Sequence, residues 1–535
     1  MTRDMFQAIR CAACVAVGFT VLAPVTTDAQ SLIDLQTKAE RTNYEETSTY
    51  EDVTRFLTVV AEASTLIQLT TFGTTTEGRA MPLAIVGHVD GTSPQDVMAT
   101  GKTRVFILGN IHAGEVCGKE AMQMFLRDVA QGKHAALFDS LVLLVAPIYN
   151  ADGNERFDVD NRRGQHGPVR GMGQRPNAQG YDLNRDHMKL DSPEANALVR
   201  LMNEYDPHVG VDLHTTNGTR HAYHITYSPP LHPNTDPAIL EFVKSQWLVS
   251  AGKYLFDQLG WRAYDYGNAG RGDDPAWRTF DYRPRFNNNY IGLRNRFGIL
   301  SEAYAYATFE ERVLSTKVFT EGVLDFARRH ASAIRRITEA ADERAVQGTV
   351  LAVRARPKRS AERVEILLGE VEDEVNPYST RPMRRRLDVV RPVQMYEYTE
   401  FEAEETERVP GTYFIPPTAE NVLAKLDAHG VKYVRLRDSM RISVQVFRID
   451  SMTTAERAFQ QHNERTIFGA YRQDSRWVPA GTAIVPTNQP LGRLVFALLE
   501  PRFDDGLVDW NVVDPYLEGA TEYPILRSVA TFNVF

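Results

Sequence analysis

Cysteine is nearly absent from this chain: 535 residues contain three, at positions 11, 14 and 117. Cys11 and Cys14 fall in an N-terminal stretch with the marks of a signal, so its removal leaves Cys117 alone and excludes an intrachain disulfide. Long apolar runs are missing as well. The most extended, residues 11–24, is shorter than the roughly twenty residues a membrane-spanning helix needs. Arg3 and Arg10 precede it and Thr27-Asp28-Ala29 follows, so residues 1–29 are expected to be a signal peptide cleaved near Ala29. That predicts an exported protein, periplasmic or secreted, with no membrane anchor. Positive charge is not in excess either. A net charge of −9 argues against a nucleic-acid partner, and the basic triplet at 384–386 reads as a solvated edge. No repeat or low-complexity tract is visible. What remains is an ordinary globular composition, 43% hydrophobic and 24% charged, in a chain too long for one compact core. Two domains are expected.

The chemistry concentrates at two strand ends. Residues 105–111 form a short apolar, β-branched run, and the tetrapeptide His112-Ala113-Gly114-Glu115 follows it. Ala121, Met122, Phe125, Leu126 and Val129 then fall on one face of a helix from Val116 to about Val129. His112 and Glu115 therefore occupy a strand-to-helix turn, where two side chains can converge. His214 closes a second strand, residues 209–213. Two imidazoles and one carboxylate suit a single zinc ion, and a fourth position left to water makes such a site catalytic. Cys117, two positions past Glu115 on the helix, points about 200° away and reads as a buried thiol. His221 and His224 are three apart on a strand and diverge.

The order of elements gives the architecture. A capped helix begins near Ser48 or Thr49, and strands at 66–71 and 83–87 flank the turn Thr74-Thr75-Thr76-Glu77-Gly78. The run 141–146 reads as a strand buried on both faces. Residues 147–186 form a long glycine- and arginine-rich loop, of a length that favours function. Ser192-Pro193-Glu194 starts another helix. Strands alternating with helices predict an α/β fold, a mixed central sheet flanked by helices, over residues 45–340. Beyond a boundary at 340–346, β-type alternation with one helix, 418–429, predicts a mostly-β, sandwich-like accessory domain at 346–535, packed on the α/β domain.

Asp182-Leu183-Asn184-Arg185 and Gly298-Ile299-Leu300-Ser301-Glu302 each place polar groups where a strand would end. Together with Thr76-Glu77-Gly78-Arg79, the His112–Glu115 turn and His214, this ordered set resembles the zinc carboxypeptidase family over residues 48–329. The resemblance implies a zinc-dependent metallocarboxypeptidase acting on peptides, with His112, Glu115 and His214 as metal ligands and Glu302 as general base. It also implies Arg175 as the group stabilising the oxyanion, Arg162, Arg163 and Arg170 being rivals. Asn184 and Arg185 match the pair that grips the substrate's terminal carboxylate, and Tyr290 or Tyr282 the assisting tyrosine. Asp182 and Asp212 are candidates to brace the zinc histidines. Two other readings stand beside this one: a related zinc amidohydrolase, deacylase or cell-wall peptide hydrolase, and a non-enzymatic binding module. The single glycosylation sequon, Asn217-Gly218-Thr219, lies three residues past His214, where a glycan would crowd the site. Export to a bacterial periplasm fits that position best.

Overall fold

The computed structural model describes residues 32, 34–270 and 275–532. The expected signal segment lies outside them. Eight strands form the central sheet, in the order Ile67–Thr74 (β1), Ala80–Val86 (β2), Leu141–Ala146 (β4), Thr103–Gly109 (β3), Val209–Thr215 (β5), Phe297–Ala303 (β10), Ile225–Ser228 (β6) and Ala263–Asp265 (β7). β4, β3, β5 and β10 run parallel to one another, while β1, β2 and β6 introduce antiparallel edges. The sheet is therefore mixed and flanked by helices, as the alternation of patterns predicts.

The parallel strands are apolar runs because both their faces are covered. Along β3, Phe106 and Leu108 enter one hydrophobic core, while Val105 and Ile107 enter the other, the two-residue period of a pleated strand. The helix Tyr50–Ala63 lays Val53, Phe56, Leu57 and Val60 into the second core. Thr49 caps it, through a reciprocal bond with Asp52. The turn at 75–79 is pinned from inside: Thr75 and Arg79 both bond Asp152, and Thr76 bonds Glu194.

After the helix Ala331–Glu343 the chain becomes mostly β. Val350–Lys358 (β11) pairs with Glu400–Arg408 (β16), and Val371–Val375 (β13) with Pro382–Arg386 (β14). A sheet of six strands runs Val434–Arg435 (β18), Ala483–Pro486 (β21), Thr412–Ile415 (β17), Leu526–Ser528 (β22), Met440–Thr454 (β19) and Arg465–Val478 (β20). The remaining sheet joins the two halves. Val364–Leu368 (β12) and Arg391–Tyr398 (β15) continue into Ala276–Arg278 (β9) and Asn268–Ala269 (β8), so this region is joined to the α/β half through a shared sheet.

The core is shared too. Leu494–Leu499, Phe503 and Trp510 pack into the same hydrophobic cluster as Phe106, Leu108 and Leu144. Leu494 to Leu499 belong to a helix, Gly492–Leu499, buried along its whole length, that the sequence reading of this region does not contain. The reason is physical: a helix apolar all round carries no 3.6-residue signal and reads as well for a strand.

Candidate metal centre and its cavity

The site lies at the carboxyl ends of β3, β5 and β10, where ligands bind in open α/β sheets. β3 leaves the sheet through Asn110, in the left-handed region at φ 66°, and the turn delivers His112 and Glu115 ahead of the helix Cys117–Ala130. Gly114 within that turn has a steric reason. A Cβ there would lie 2.8 Å from both the Arg162 side chain and the Gly173 carbonyl oxygen. β5 delivers His214, and the parallel register sets Glu302 of β10 directly beside it.

Three donor atoms converge. His112 Nδ1 lies 3.1 Å from Glu115 Oε1, His214 Nδ1 lies 2.9 Å from Glu115 Oε2, and the two Nδ1 atoms are 3.2 Å apart. The outer nitrogens are already engaged. His112 Nε2 donates to Asp182 at 2.9 Å, and His214 Nε2 to Asp212 at 3.0 Å. Those carboxylates hold the proton on Nε2, so both Nδ1 lone pairs face the same point as the Glu115 carboxylate. Such an arrangement repels itself unless a cation stands between the rings. Tetrahedral zinc, with ligands about 2.0–2.1 Å away, would set its donors roughly 3.3 Å apart. The donor chemistry and the spacing both fit one zinc ion.

The electrostatics report the negative charge gathered here, which favours a cation, whether a proton or a metal ion. Burial alone would lower the His214 pKa, but Asp212 and Glu115 raise it well above the ordinary imidazole value. Burial opposes ionisation of Glu115 and Asp182, yet His112 and the neighbouring arginines hold both well below the usual carboxylate range. Glu302 behaves differently. Burial pushes its carboxyl up to about 8, with Glu115 adding to the effect against His214, Arg162 and Arg175. Its Oε2 is buried without a hydrogen-bond partner.

A cavity of about 300 Å³ opens in front of these groups. His112, Glu115, His214, Glu302, Arg162, Arg175, Asn184 and Arg185 line it, with Asn217, Tyr266, Phe280, Asp281, Phe286, Asn288 and Leu300 among its walls. Arg175 donates from Nε to Asp182 at 2.9 Å and keeps 42% of its side chain exposed. Arg162 is more committed, to Glu115 at 2.6 Å and to the Thr215 and Thr216 carbonyls. The Arg185 guanidinium stacks 3.9 Å over the Phe286 ring. Asn184 accepts from the Asn287 backbone N–H.

Tyr290 is a correction. It is fully buried, its hydroxyl 2.7 Å from His429 Nδ1, and it does not line the cavity. It belongs to the helix Asn287–Leu293, on which Asn288 lines the cavity. Two residues on, about 200° of rotation turns Tyr290 away from it. Tyr282 is also engaged elsewhere, donating to Asp504. The tyrosine that lines the cavity is Tyr266, from a stretch whose sequence carries no signal for it. Cys117 is buried beside Thr215, and His221 and His224 pack against Tyr304 and Trp261 away from the metal ligands.

Residues 53–238 match the zinc carboxypeptidase family model. Carboxypeptidase 2 of Trichophyton tonsurans is 24% identical over 467 residues, covering 84% of this chain and 81% of that one. A probable carboxypeptidase 2 of Arthroderma benhamiae is 24% identical over 457 residues, 82% of this chain and 81% of that one. These alignments are longer than the α/β half and extend into the C-terminal region. Among solved structures, a metallo-carboxypeptidase from Burkholderia cenocepacia is 17% identical, with a TM-score of 0.41 over 53% of this chain and 70% of that one. Carboxypeptidase A from Helicoverpa armigera is 15% identical, with a TM-score of 0.41 over 56% and 76%.

Proposed function

We propose that this chain, whose residues 53–238 match the zinc carboxypeptidase family model, is a metallocarboxypeptidase that releases C-terminal residues from peptides at the cavity in front of His112, Glu115 and His214. One observation carries the reading: three metal donors, a carboxylate with one buried oxygen free of hydrogen bonds, and a row of arginines line a single cavity. His112, Glu115 and His214 would hold the ion. Zinc supplies Lewis-acid polarisation of a carbonyl and lowers the pKa of a water.

The remaining roles belong to the chain's own side chains. Glu302, beside His214 and with a free Oε2, takes the proton of the attacking water and returns it to the leaving amine. A cation on the neighbouring ligands favours its ionised form, the form a base must have. Arg175, half-exposed beside Glu115, faces the negative charge that develops on the carbonyl oxygen. Asn184 and Arg185 receive the substrate's terminal carboxylate, for which a guanidinium offers paired donors. Phe280, Phe286 and Tyr266 keep water from the reacting groups.

Export fits the N-terminal signal pattern, and among the described residues no helix is long and apolar enough to cross a membrane. The position of Asn217 on the cavity wall favours a route without N-glycosylation. The deciding experiment pairs a peptide bearing a free C-terminus with its C-terminal amide. Hydrolysis of the free peptide alone is expected, with Glu302→Gln retaining zinc while turnover falls by orders of magnitude. Equal cleavage of the amide would remove Asn184 and Arg185 from carboxylate recognition and favour the amidohydrolase reading.

A further inference from the structure

The β19–β20 hairpin is long, and its far end does not stop in solvent. Phe459 and His462 exchange backbone hydrogen bonds, 2.8 and 3.0 Å, around a two-residue turn formed by Gln460 and Gln461. Both turn residues have positive φ, 50° and 67°. A hairpin turn of that kind favours asparagine and glycine, and glutamine pays steric strain in both positions. Strain of this sort persists where the surroundings hold it in place.

What holds it is the active-site wall. Three consecutive side chains reach one segment of the α/β half. Gln460 Oε1 accepts from the Asp182 backbone N–H at 2.8 Å, and Gln461 Nε2 donates to the Gln179 carbonyl at 3.1 Å. His462 Nε2 meets the Asp191 carboxylate at 2.7 Å. Asp182 is the junction of the site. Its carboxylate accepts from His112, from Arg175 and from the Asn184 backbone, each at 2.9 Å. A side chain nearly 280 residues away in sequence thus fixes the backbone of the residue that orients a metal ligand.

We infer that Gln460 is a positioning residue for the metal centre: by holding the Asp182 backbone it sets the His112 ring and the Arg175 guanidinium, and so makes the C-terminal hairpin a working part of the site. The consequence for Arg175 rests on the carboxypeptidase reading; the consequence for zinc affinity does not. Gln460→Met keeps the length of the side chain and removes the acceptor, whereas Gln460→Glu keeps an acceptor.

The measurement is zinc affinity of the full-length protein by competition with a chelator, alongside KM and kcat on a free-C-terminus peptide. Loss of a direct partner of a metal-bound histidine weakens zinc binding by roughly 10–100-fold. For Gln460→Met, one bond further out, a loss of several-fold is expected, with a raised KM and with Gln460→Glu close to the parent. Gln461→Ala, which removes the bond to the Gln179 carbonyl and leaves the Asp182 contact, should bind zinc as the parent does. Parental zinc affinity in Gln460→Met would overturn the inference. So would a loss in Gln461→Ala or Gln460→Glu as large as in Gln460→Met, since hairpin stability and not the acceptor would then be the cause. A parent protein that binds zinc but cleaves no peptide would defeat the carboxypeptidase reading and leave the affinity comparison intact.

Discussion

The α/β half and the C-terminal half build the same cavity by opposite means. In the α/β half, His112, Glu115, His214 and Glu302 emerge from the ends of adjacent parallel strands, and each position follows from strand register and a tight turn. Among the described residues, the C-terminal half supplies no donor to this centre. It works by holding loops: Gln460 on Asp182, Asp505 on the Arg285 backbone and side chain, and β15 alongside β9. The segments it grips lead into Asn184, Arg185, Phe280 and Phe286. A sheet edge can place a few atoms rigidly, but cavity walls made of long irregular loops need bracing from outside.

That division can be broken by substitution. The largest effect is expected in the α/β half. His214→Ala should lose zinc and with it turnover by orders of magnitude, while circular dichroism stays that of the parent; retention of stoichiometric zinc by metal analysis would contradict the ligand assignment. In the C-terminal half, Phe496→Ala removes a fully buried ring from the shared core. A cost of about 3–5 kcal/mol is expected, taken by both halves in one cooperative transition in calorimetry. Two resolved transitions, with only the later residues destabilised, would show that the halves are energetically separate.

The smallest effect is a pH dependence at the hairpin contact. Burial raises the Asp191 pKa, but His462, Lys189 and Lys425 outweigh it and hold the carboxyl at about 2. A carboxyl depressed on folding adds stability above its unfolded value of about 3.9, and that stability fades as pH falls toward 2. A loss of about 1–2 kcal/mol over that window is expected, discounted for the partial exposure of the pair. Asp191→Asn should abolish it in denaturant titrations at pH 5 and pH 3.

Legibility in the sequence follows the same division. The convergence of His112, Glu115, His214 and Glu302 is legible because the segments that carry them end apolar runs, a local signal of a few residues. Asp212 shares a strand face with His214, and the alternation of the strand reveals it. Tyr290 was misplaced because its direction depends on where the helix Asn287–Leu293 begins, which no N-terminal capping side chain marks. Arg162 and Arg175 could not be ranked within a loop that lacks periodicity. Tyr266, Asn288 and Gln460 gave no sign at all. Their roles come from contacts between distant segments, and one sequence holds no record of those.

The shared core has a consequence in time. Phe106, Leu108 and Leu144 are synthesised well before Leu494–Leu499 and Trp510, which complete their hydrophobic cluster. A chain growing from its N-terminus therefore exposes that greasy surface to water until those later segments arrive. The cavity wall that Gln460 braces at Asp182 is likewise finished only after that distant hairpin has been made.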